Sequence, residues 1–237
     1  MKPNVLLATA RTPDGGTMAL YRHDRDYSIR VDGRELMNSR MCESERELAR
    51  LGCAHLVGRE APRVLIGGLG MGYTLREALD ALSPGAEVVV GELLPAVVEW
   101  NREYFRELNG AALEDGRVTL EPGDVSGLIA RSPGRFDAIL LDIDNGPGAL
   151  THAGNRHLYG RLGIASCRRA LRESGCLAVW SVDSSKPFEQ RLMEGGFQVR
   201  RYRVKSHPSA KSRSRFVWVA SEDESVLPAG GGAPRGK

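Results

Sequence analysis

The hydrophobic and polar residues of this 237-residue chain change their spacing near residue 63. From there on, short apolar runs alternate with longer segments in which apolar residues recur every three or four positions. The runs predict strands at Val64–Gly67, Val88–Gly91, Val118–Glu121, Ala138–Asp142 and Leu177–Val182. The segments between them predict helices over Thr74–Leu82, Ala96–Leu108, Val125–Ala130 and Leu158–Leu171. This alternation predicts a mostly parallel sheet that is covered by helices on both faces.

The first 60 residues follow a different pattern. Met18–Arg22 and Tyr27–Val31 alternate apolar and polar residues on either side of a polar turn, which predicts a β-hairpin. Apolar residues at helical spacing then predict a helix over Ser44–Val57, capped by Ser44. We therefore expect a small β-rich N-terminal region over residues 1–60.

The C-terminal part again favours strands over helices. Gly196–Arg200 and Arg215–Ala220 predict an antiparallel hairpin that closes one edge of the sheet. The Pro/Gly-rich end predicts disorder. We therefore expect one α/β domain over residues 61–222 and a disordered tail over residues 223–237.

The first of the predicted parallel strands runs directly into a glycine-rich segment, and its glycines stand at Gly68, Gly70 and Gly72. Glycine permits positive φ angles and lets a ligand approach the backbone closely. The next strand ends in Glu92, twenty residues after Gly72, which is the position of a carboxylate that accepts hydrogen bonds from a ribose. This combination predicts a site for a nucleoside-containing cofactor.

Two further acids stand near the ends of later strands, at Asp124 and Asp142. Because ligands of open α/β sheets bind beyond the carboxyl ends of the strands, these acids and Glu92 are expected to share one cleft. Asp124 is suited to accept a hydrogen bond from the exocyclic amine of adenine. Asp142 and Asp144 would face the space beyond the cofactor, although the segment from Asp144 to Pro147 is also a good ordinary turn.

Composition narrows the class of protein. Hydrophobic residues make up 41% and charged residues 27%, values typical of a soluble globular protein, and the net charge of +3 does not by itself indicate a nucleic-acid partner. No apolar run approaches the ~20 residues that cross a bilayer, and there is no basic-then-apolar leader pattern, so we expect a cytoplasmic protein with no membrane partner. The four cysteines are scattered, so no metal site is expected.

A basic segment, Arg200–Lys205, continues through His207, Lys211, Arg213 and Arg215. Basic residues with an interleaved tyrosine can follow a phosphate backbone. A solvated loop of a hairpin, rich in serine and lysine, explains the same residues more simply. We therefore do not expect nucleic acid as a partner.

Several motifs between Arg63 and Pro147 resemble the spermidine synthase family, within the class I S-adenosylmethionine-dependent methyltransferase fold. They are the glycine segment Gly68–Glu77, Glu92 followed by Pro95, Asn101–Phe105, Gly123-Asp124 and Phe136–Asp142. The resemblance implies a Rossmann-like, mostly parallel seven-stranded sheet with a C-terminal antiparallel hairpin, preceded by a small N-terminal β-rich domain. It also implies that Glu92 holds the ribose, that Asp124 holds the adenine amine, and that Asp142 orients or deprotonates the acceptor. A homodimer formed through the N-terminal strands is expected by the same analogy.

The chain departs from the family at the residues that bind polyamines. Met71 stands where the family has an aspartate in the glycine loop, and Asn145 stands where a second aspartate follows the fourth strand. Leu36 replaces a glutamine, and Ser44–Leu48 lacks the expected Tyr-His pair. Each lost charge-assisted contact would weaken diamine binding by about 2 kcal/mol.

These departures favour a methyltransferase that uses intact S-adenosylmethionine and acts on an unidentified small molecule. Without an acid in the loop, nothing evident in the sequence selects the decarboxylated cofactor. An aminopropyltransferase that uses decarboxylated S-adenosylmethionine with an altered acceptor is the alternative, and a non-catalytic nucleoside-binding relative is the third hypothesis. In the first two, Asp142 and Asp144 would be catalytic, and Tyr73 and Asn145 would contact the acceptor.

Overall fold

A computed structural model of the protein describes residues 3–143, 146–147, 157–207 and 214–232. The chain divides into two compact units, residues 1–42 and residues 43–237. The helix that was predicted as part of the N-terminal region therefore belongs to the larger unit. Among the described residues, no helix is long and apolar enough to cross a membrane.

The smaller unit is a four-stranded antiparallel sheet whose strands pair in chain order. They are β1 Val5–Arg11, β2 Thr17–His23, β3 Asp26–Val31 and β4 Arg34–Asn38. The predicted hairpin is confirmed as β2 and β3, in which Leu20 and Ile29 face each other and are buried. Sequence patterning missed both outer strands, because β1 exposes Val5 and Leu6 to solvent and β4 is largely polar.

The larger unit contains a seven-stranded sheet in the order β10-β11-β9-β8-β5-β6-β7. Its strands are β5 Arg63–Gly67, β6 Glu87–Glu92, β7 Val118–Pro122, β8 Phe136–Leu141, β9 Leu171–Ser181, β10 Gln198–Lys205 and β11 Ser214–Ser221. Within the described part of the chain, β11 alone runs against the other six strands. The predicted Rossmann-like sheet with a C-terminal antiparallel hairpin, and the β-rich region before it, are therefore confirmed.

Seven described α-helices accompany this sheet. They are α1 Glu43–Cys53, α2 Tyr73–Ala81, α3 Pro95–Glu103, α4 Arg106–Asn109, α5 Val125–Ala130, α6 Arg161–Ala170 and α7 Lys186–Glu194. The helix predicted over Ala96–Leu108 is broken into α3 and α4. Sequence analysis missed α7, although Ser185 caps it by accepting a hydrogen bond from the Phe188 amide.

Two predictions at the ends of elements were wrong. The first helix begins at Glu43, so Ser44 is not its cap; the Ser44 hydroxyl instead lies in the first turn and donates to the Glu45 carboxylate at 2.6 Å. The tail predicted to be disordered from residue 223 is placed as far as residue 232. Its backbone forms a bridge between Gly232 and Arg201, and Pro228 accepts a hydrogen bond from the Tyr202 hydroxyl. These bonds fix a segment whose composition alone indicated disorder; residues 233–237 lie outside the described part.

Asp137 ties together the edge of the sheet opposite the strands' carboxyl ends. Its buried carboxylate accepts hydrogen bonds from the Arg63 amide at 2.7 Å and from Arg172 at 2.8 Å, and it forms an ion pair with Arg59 at 3.4 Å.

We expect Asp137→Asn to lower the free energy of unfolding by about 2 kcal/mol, because one charged acceptor serves all three donors. Denaturant unfolding measures this loss of stability, with Asp80→Asn, a change at an exposed ion pair, as the control. Equal stability of the two variants would refute the prediction.

Candidate active site

The carboxyl ends of three adjacent strands bring the predicted cofactor residues together. β5 lies between β6 and β8, at the point where the order of strands reverses. The Gly68 amide donates to the Gly91 carbonyl at 2.9 Å, and the Asp142 amide donates to the Gly67 carbonyl at 2.8 Å. The loop after β5 is therefore fixed between the end of β6, which carries Glu92, and the end of β8, which leads to Asp142.

The three glycines of this loop adopt positive φ angles of 89° at Gly68, 52° at Gly70 and 80° at Gly72. A side chain at Gly68 would collide with the Asp142 carbonyl oxygen, and a Cβ at Gly72 would lie 2.6 Å from the Asn109 amide nitrogen. Glycine is required at both positions by conformation and by space. The loop then leads directly into α2, whose N-terminal end faces the same edge of the sheet.

Two buried asparagines brace the loop from behind. Asn101 donates to the Gly70 carbonyl at 2.8 Å, and Asn109 donates to the Met71 carbonyl at 3.2 Å and to the Asn101 side chain at 2.8 Å. Both side chains are buried, so these bonds exchange little with water. Sequence analysis gave no role to these asparagines, although Asn101 begins the motif Asn101–Phe105 that was noted there.

Glu92 is buried at the base of this cleft. One carboxylate oxygen accepts from the Leu69 amide at 2.9 Å, and the other accepts from the Leu94 amide at 2.8 Å. Each oxygen has a second lone pair, so the fixed carboxylate can also accept hydrogen bonds from ribose hydroxyls. The predicted neighbourhood of Glu92 and the glycine loop is therefore present.

The loop also offers backbone donors to a bound cofactor. Among the described residues, none accepts a hydrogen bond from the amides of Gly70 or Met71. These two amides, the carboxylate of Glu92 and the absence of side chains at the glycines fit the nucleoside end of an S-adenosyl compound. The Met71 side chain is buried, so it packs within the protein rather than replacing the missing loop acid.

Asp124, which was predicted to contact adenine, has a structural role in the protein. It caps α5 by accepting a hydrogen bond from the Ser126 amide at 2.9 Å. Its side chain is exposed and has a second oxygen, which is compatible with an additional contact to a ligand amine. The adenine contact itself stays a prediction.

A pair of carboxylates, Glu45 and Asp142, lies beside the start of α2. The Thr74 hydroxyl donates to Asp142 at 2.6 Å and lies 3.3 Å from the Glu45 carbonyl oxygen. Burial raises the pKa of Asp142 to about 6, while burial and then the charge of Asp142 raise the pKa of Glu45 to about 8; Arg215 opposes that rise. The pair therefore retains a proton at neutral pH. Sequence analysis missed Glu45.

Replacing Glu45 by Gln should flatten the dependence of stability on pH. In the unfolded chain this carboxyl releases its proton near its ordinary pKa of 4.5, whereas the folded protein holds it until about pH 8. The folded state binds more protons across this window, so stability falls as pH rises from 4.5 to 8. Between pH 5 and pH 8, the free energy of unfolding should therefore fall less in Glu45→Gln than in the parent. We expect the two falls to differ by about 1 kcal/mol.

Denaturant unfolding at the two pH values measures this gain, and Glu47→Gln on the same helix is the control. An unchanged difference between pH 5 and pH 8 in Glu45→Gln would show that Glu45 does not hold the extra proton.

The residues predicted to contact the acceptor are only partly covered by the structure. Tyr73 is buried at the start of α2, and the Arg46 guanidinium lies over its ring at 5.5 Å from the centroid. Asp144 and Asn145 lie outside the described residues. Their predicted roles stay predictions, as does that of Asp142 in catalysis.

The basic segment is partly neutralised inside the protein. Arg201 forms an ion pair with Glu189 at 2.7 Å, and Arg200 donates to the Pro228 carbonyl at 2.9 Å. Residues 208–213 lie outside the described residues. These contacts give Arg200 and Arg201 structural roles within the larger unit.

Comparison with curated proteins finds aminopropyltransferases. The polyamine aminopropyltransferase of Korarchaeum cryptofilum is 30% identical over 127 residues, which cover 53% of this chain and 37% of that protein. The polyamine aminopropyltransferase of Pseudomonas syringae pv. tomato is 30% identical over 132 residues, which cover 55% of this chain and 42% of that protein. The chain thus spans about two fifths of the length of these relatives.

Comparison with solved structures finds the same fold. Spermidine synthase from Thermotoga maritima has a TM-score of 0.74 at 19% identity, covering 94% of this chain and 76% of that one. A probable spermidine synthase from Corynebacterium glutamicum has a TM-score of 0.69 at 17% identity, covering 94% and 82%. The spermine/spermidine synthase domain itself matches residues 47–201, which is more than half of the chain and includes the glycine loop, Glu92, Asp124 and Asp142 but not Glu45. The chain belongs to the spermine/spermidine synthase family.

Proposed function

We propose that this protein transfers an aminopropyl group from decarboxylated S-adenosylmethionine to a small amine. The names of its curated relatives support this activity, which sequence analysis gave as the alternative to methyl transfer. The preference for methyl transfer rested on Met71, since no acid in the glycine loop could select the free amine of the decarboxylated cofactor. That preference loses its basis if another acid serves the same amine.

The observation that carries the proposal is the pair of carboxylates, Glu45 and Asp142. Both belong to the larger unit, and Thr74 contacts both residues at the first turn of α2, directly after the glycine loop. A cationic amine between these carboxylates would replace the shared proton and relieve their repulsion. Helix α1 thus supplies a negative charge where the loop itself carries none.

The same pair can perform the proton transfer that the reaction needs. When bound, decarboxylated S-adenosylmethionine supplies an electrophilic carbon: the acceptor nitrogen bonds to it, the C–S bond breaks, and its electron pair leaves with methylthioadenosine. Before this attack Asp142 removes a proton from the ammonium group of the acceptor, which frees the nitrogen lone pair that forms the new bond. A carboxylate whose pKa is raised by burial is a stronger base than an ordinary one, and the Thr74 hydroxyl keeps it oriented.

Positioning accounts for the rest of catalysis. Glu92, held by two backbone amides, fixes the ribose, and the loop braced by Asn101 and Asn109 fixes the backbone donors. Because this framework is rigid before ligands bind, little ordering remains to be done when the reacting atoms meet.

Calorimetric titration with the two cofactors tests the proposal. The decarboxylated form is expected to bind at least about 10-fold more tightly than intact S-adenosylmethionine, because its exposed amine pairs with the carboxylates and it brings no carboxylate of its own. Tighter binding of the intact cofactor would overturn the proposal in favour of methyl transfer. Failure of both to bind would leave a non-catalytic relative as the better description.

A further inference from the structure

Helix α1, Trp180 and Arg215 of the larger unit lie on one face of the sheet. Helix α1 covers that face: the Cys176 thiol donates to the Gly52 carbonyl at 3.1 Å, and a Cβ at Gly52 would lie 3.0 Å from the Ala178 Cβ. Since side chains alternate along a strand, Trp180 lies on this same face, one residue before the carboxyl end of β9.

The register of β11 adds Arg215 to the same place. Trp180 pairs with Val217, so their side chains share a face, and Arg215 stands two residues further toward the carboxyl end of β9. The electrostatics agree with this placement, because the charge of Arg215 reaches Glu45 and favours its ionised form. Arg215 and Trp180 thus lie near the carboxyl end of β9, on the face that is covered by α1, the helix that carries Glu45.

Trp180 contributes a donor that the protein itself does not use. Its side chain is only 9% exposed, and among the described residues none accepts a hydrogen bond from its indole N–H. A buried donor without a partner destabilises the folded protein unless a ligand or a water satisfies it. Arg215, on the same face of the sheet, is half-buried; its guanidinium donates one N–H to the Ser214 carbonyl at 3.3 Å and has four other N–H groups.

We infer that the acceptor of this enzyme carries a carboxylate as well as the reacting amine, and is therefore an amino acid rather than a diamine. The inference rests on the proposed aminopropyl transfer and names its substrate class. The reacting amine faces Asp142, the proposed base, and the carboxylate is held by Arg215 and the Trp180 indole N–H. A diamine would place its second ammonium against Arg215 and leave the indole donor unpaired.

Binding to the protein saturated with methylthioadenosine tests this inference. The probes are three matched sets with chains of three, four and five carbons: an ω-amino acid, the corresponding diamine and the corresponding alkylamine. In at least one set, calorimetry is expected to show the amino acid binding about 10-fold or more tightly than both partners, because only it satisfies both ends of the cleft.

Two variants and a control assign the effect to its residues. Arg215→Gln and Trp180→Phe should each reduce the advantage of the amino acid over the alkylamine, and each variant should bind methylthioadenosine as the parent does, which separates recognition of the carboxylate from loss of folding. Arg203 pairs with Phe216, so its side chain lies on the opposite face, and Arg203→Gln should behave as the parent.

Failure of this inference and failure of the proposed function would give different results. Any of three results would overturn the inference. Diamines bind as tightly as amino acids in every set, amino acids do not bind at all, or the advantage of amino acids over alkylamines is unchanged in Arg215→Gln. The proposed function fails by a different result, namely that no amine of any class accepts an aminopropyl group.

Discussion

Replacing Asp142 by Asn is expected to lower kcat for aminopropyl transfer by about 1000-fold, the range typical of a lost general base. Asn keeps the shape of the side chain and can still accept the 2.6 Å hydrogen bond from Thr74, so the cleft should persist. It cannot take the proton from the acceptor ammonium group that must leave before the nitrogen attacks. A steady-state assay of methylthioadenosine release measures the loss.

Two controls make this result specific. Methylthioadenosine should bind Asp142→Asn as it binds the parent, because the proposed nucleoside contacts are those of Glu92 and the glycine loop. Asp80→Asn, a matched change on the exposed side of α2, should keep full activity. If Asp142→Asn retained a tenth or more of the parent kcat, Asp142 would not be the base.

Glu92→Gln is expected to raise the Kd for methylthioadenosine by about 100-fold, because ribose hydroxyls bind an ionised acceptor far better than a neutral one. The variant also loses part of the framework of the loop. A Gln side chain has one carbonyl oxygen, so it can accept from only one of the Leu69 and Leu94 amides and turns its own N–H groups toward the other.

Titration calorimetry measures this affinity, with Glu99→Gln on the exposed face of α3 as the matched control. The Kd of the control should equal that of the parent. A Glu92→Gln variant that bound methylthioadenosine within a factor of three of the parent would remove Glu92 from the ribose site.

The sheet of the larger unit could be predicted from sequence because its central strands are short, uninterrupted apolar runs. Val88–Val90 and Ile139–Leu141 are buried on both faces, so their composition alone marks them as strands. The cofactor cleft followed from the same pattern, since parallel strands bring their carboxyl ends to one edge. Gly68, Glu92 and Asp142 were therefore expected to meet, and their backbones do meet there.

The acidic pair could not be predicted in the same way. Glu45 stands 97 residues before Asp142, and the two meet only because α1 packs over the carboxyl ends of the strands. Read along the chain, the segment around Glu45 lacks the expected Tyr-His pair, and this absence argued against a diamine acceptor. Patterns of residue types locate elements well, but they do not reveal which side chains a helix brings to a site from outside the sheet.

Trp180 and Arg215 illustrate the same limit. Each belongs to a correctly predicted strand, but their shared face depends on the antiparallel register of β9 and β11. A shift by one residue would turn Arg215 to the other side of the sheet. The apolar periodicity within a single strand does not encode this register.

The measurement that tests the central claim most directly is the identity of the product nucleoside. The protein is incubated with a mixture of amines and amino acids and with either decarboxylated or intact S-adenosylmethionine, and the nucleosides are separated and identified by mass. Aminopropyl transfer predicts methylthioadenosine from the decarboxylated cofactor and an acceptor heavier by one aminopropyl group. S-adenosylhomocysteine from the intact cofactor, without methylthioadenosine from the decarboxylated one, would contradict it.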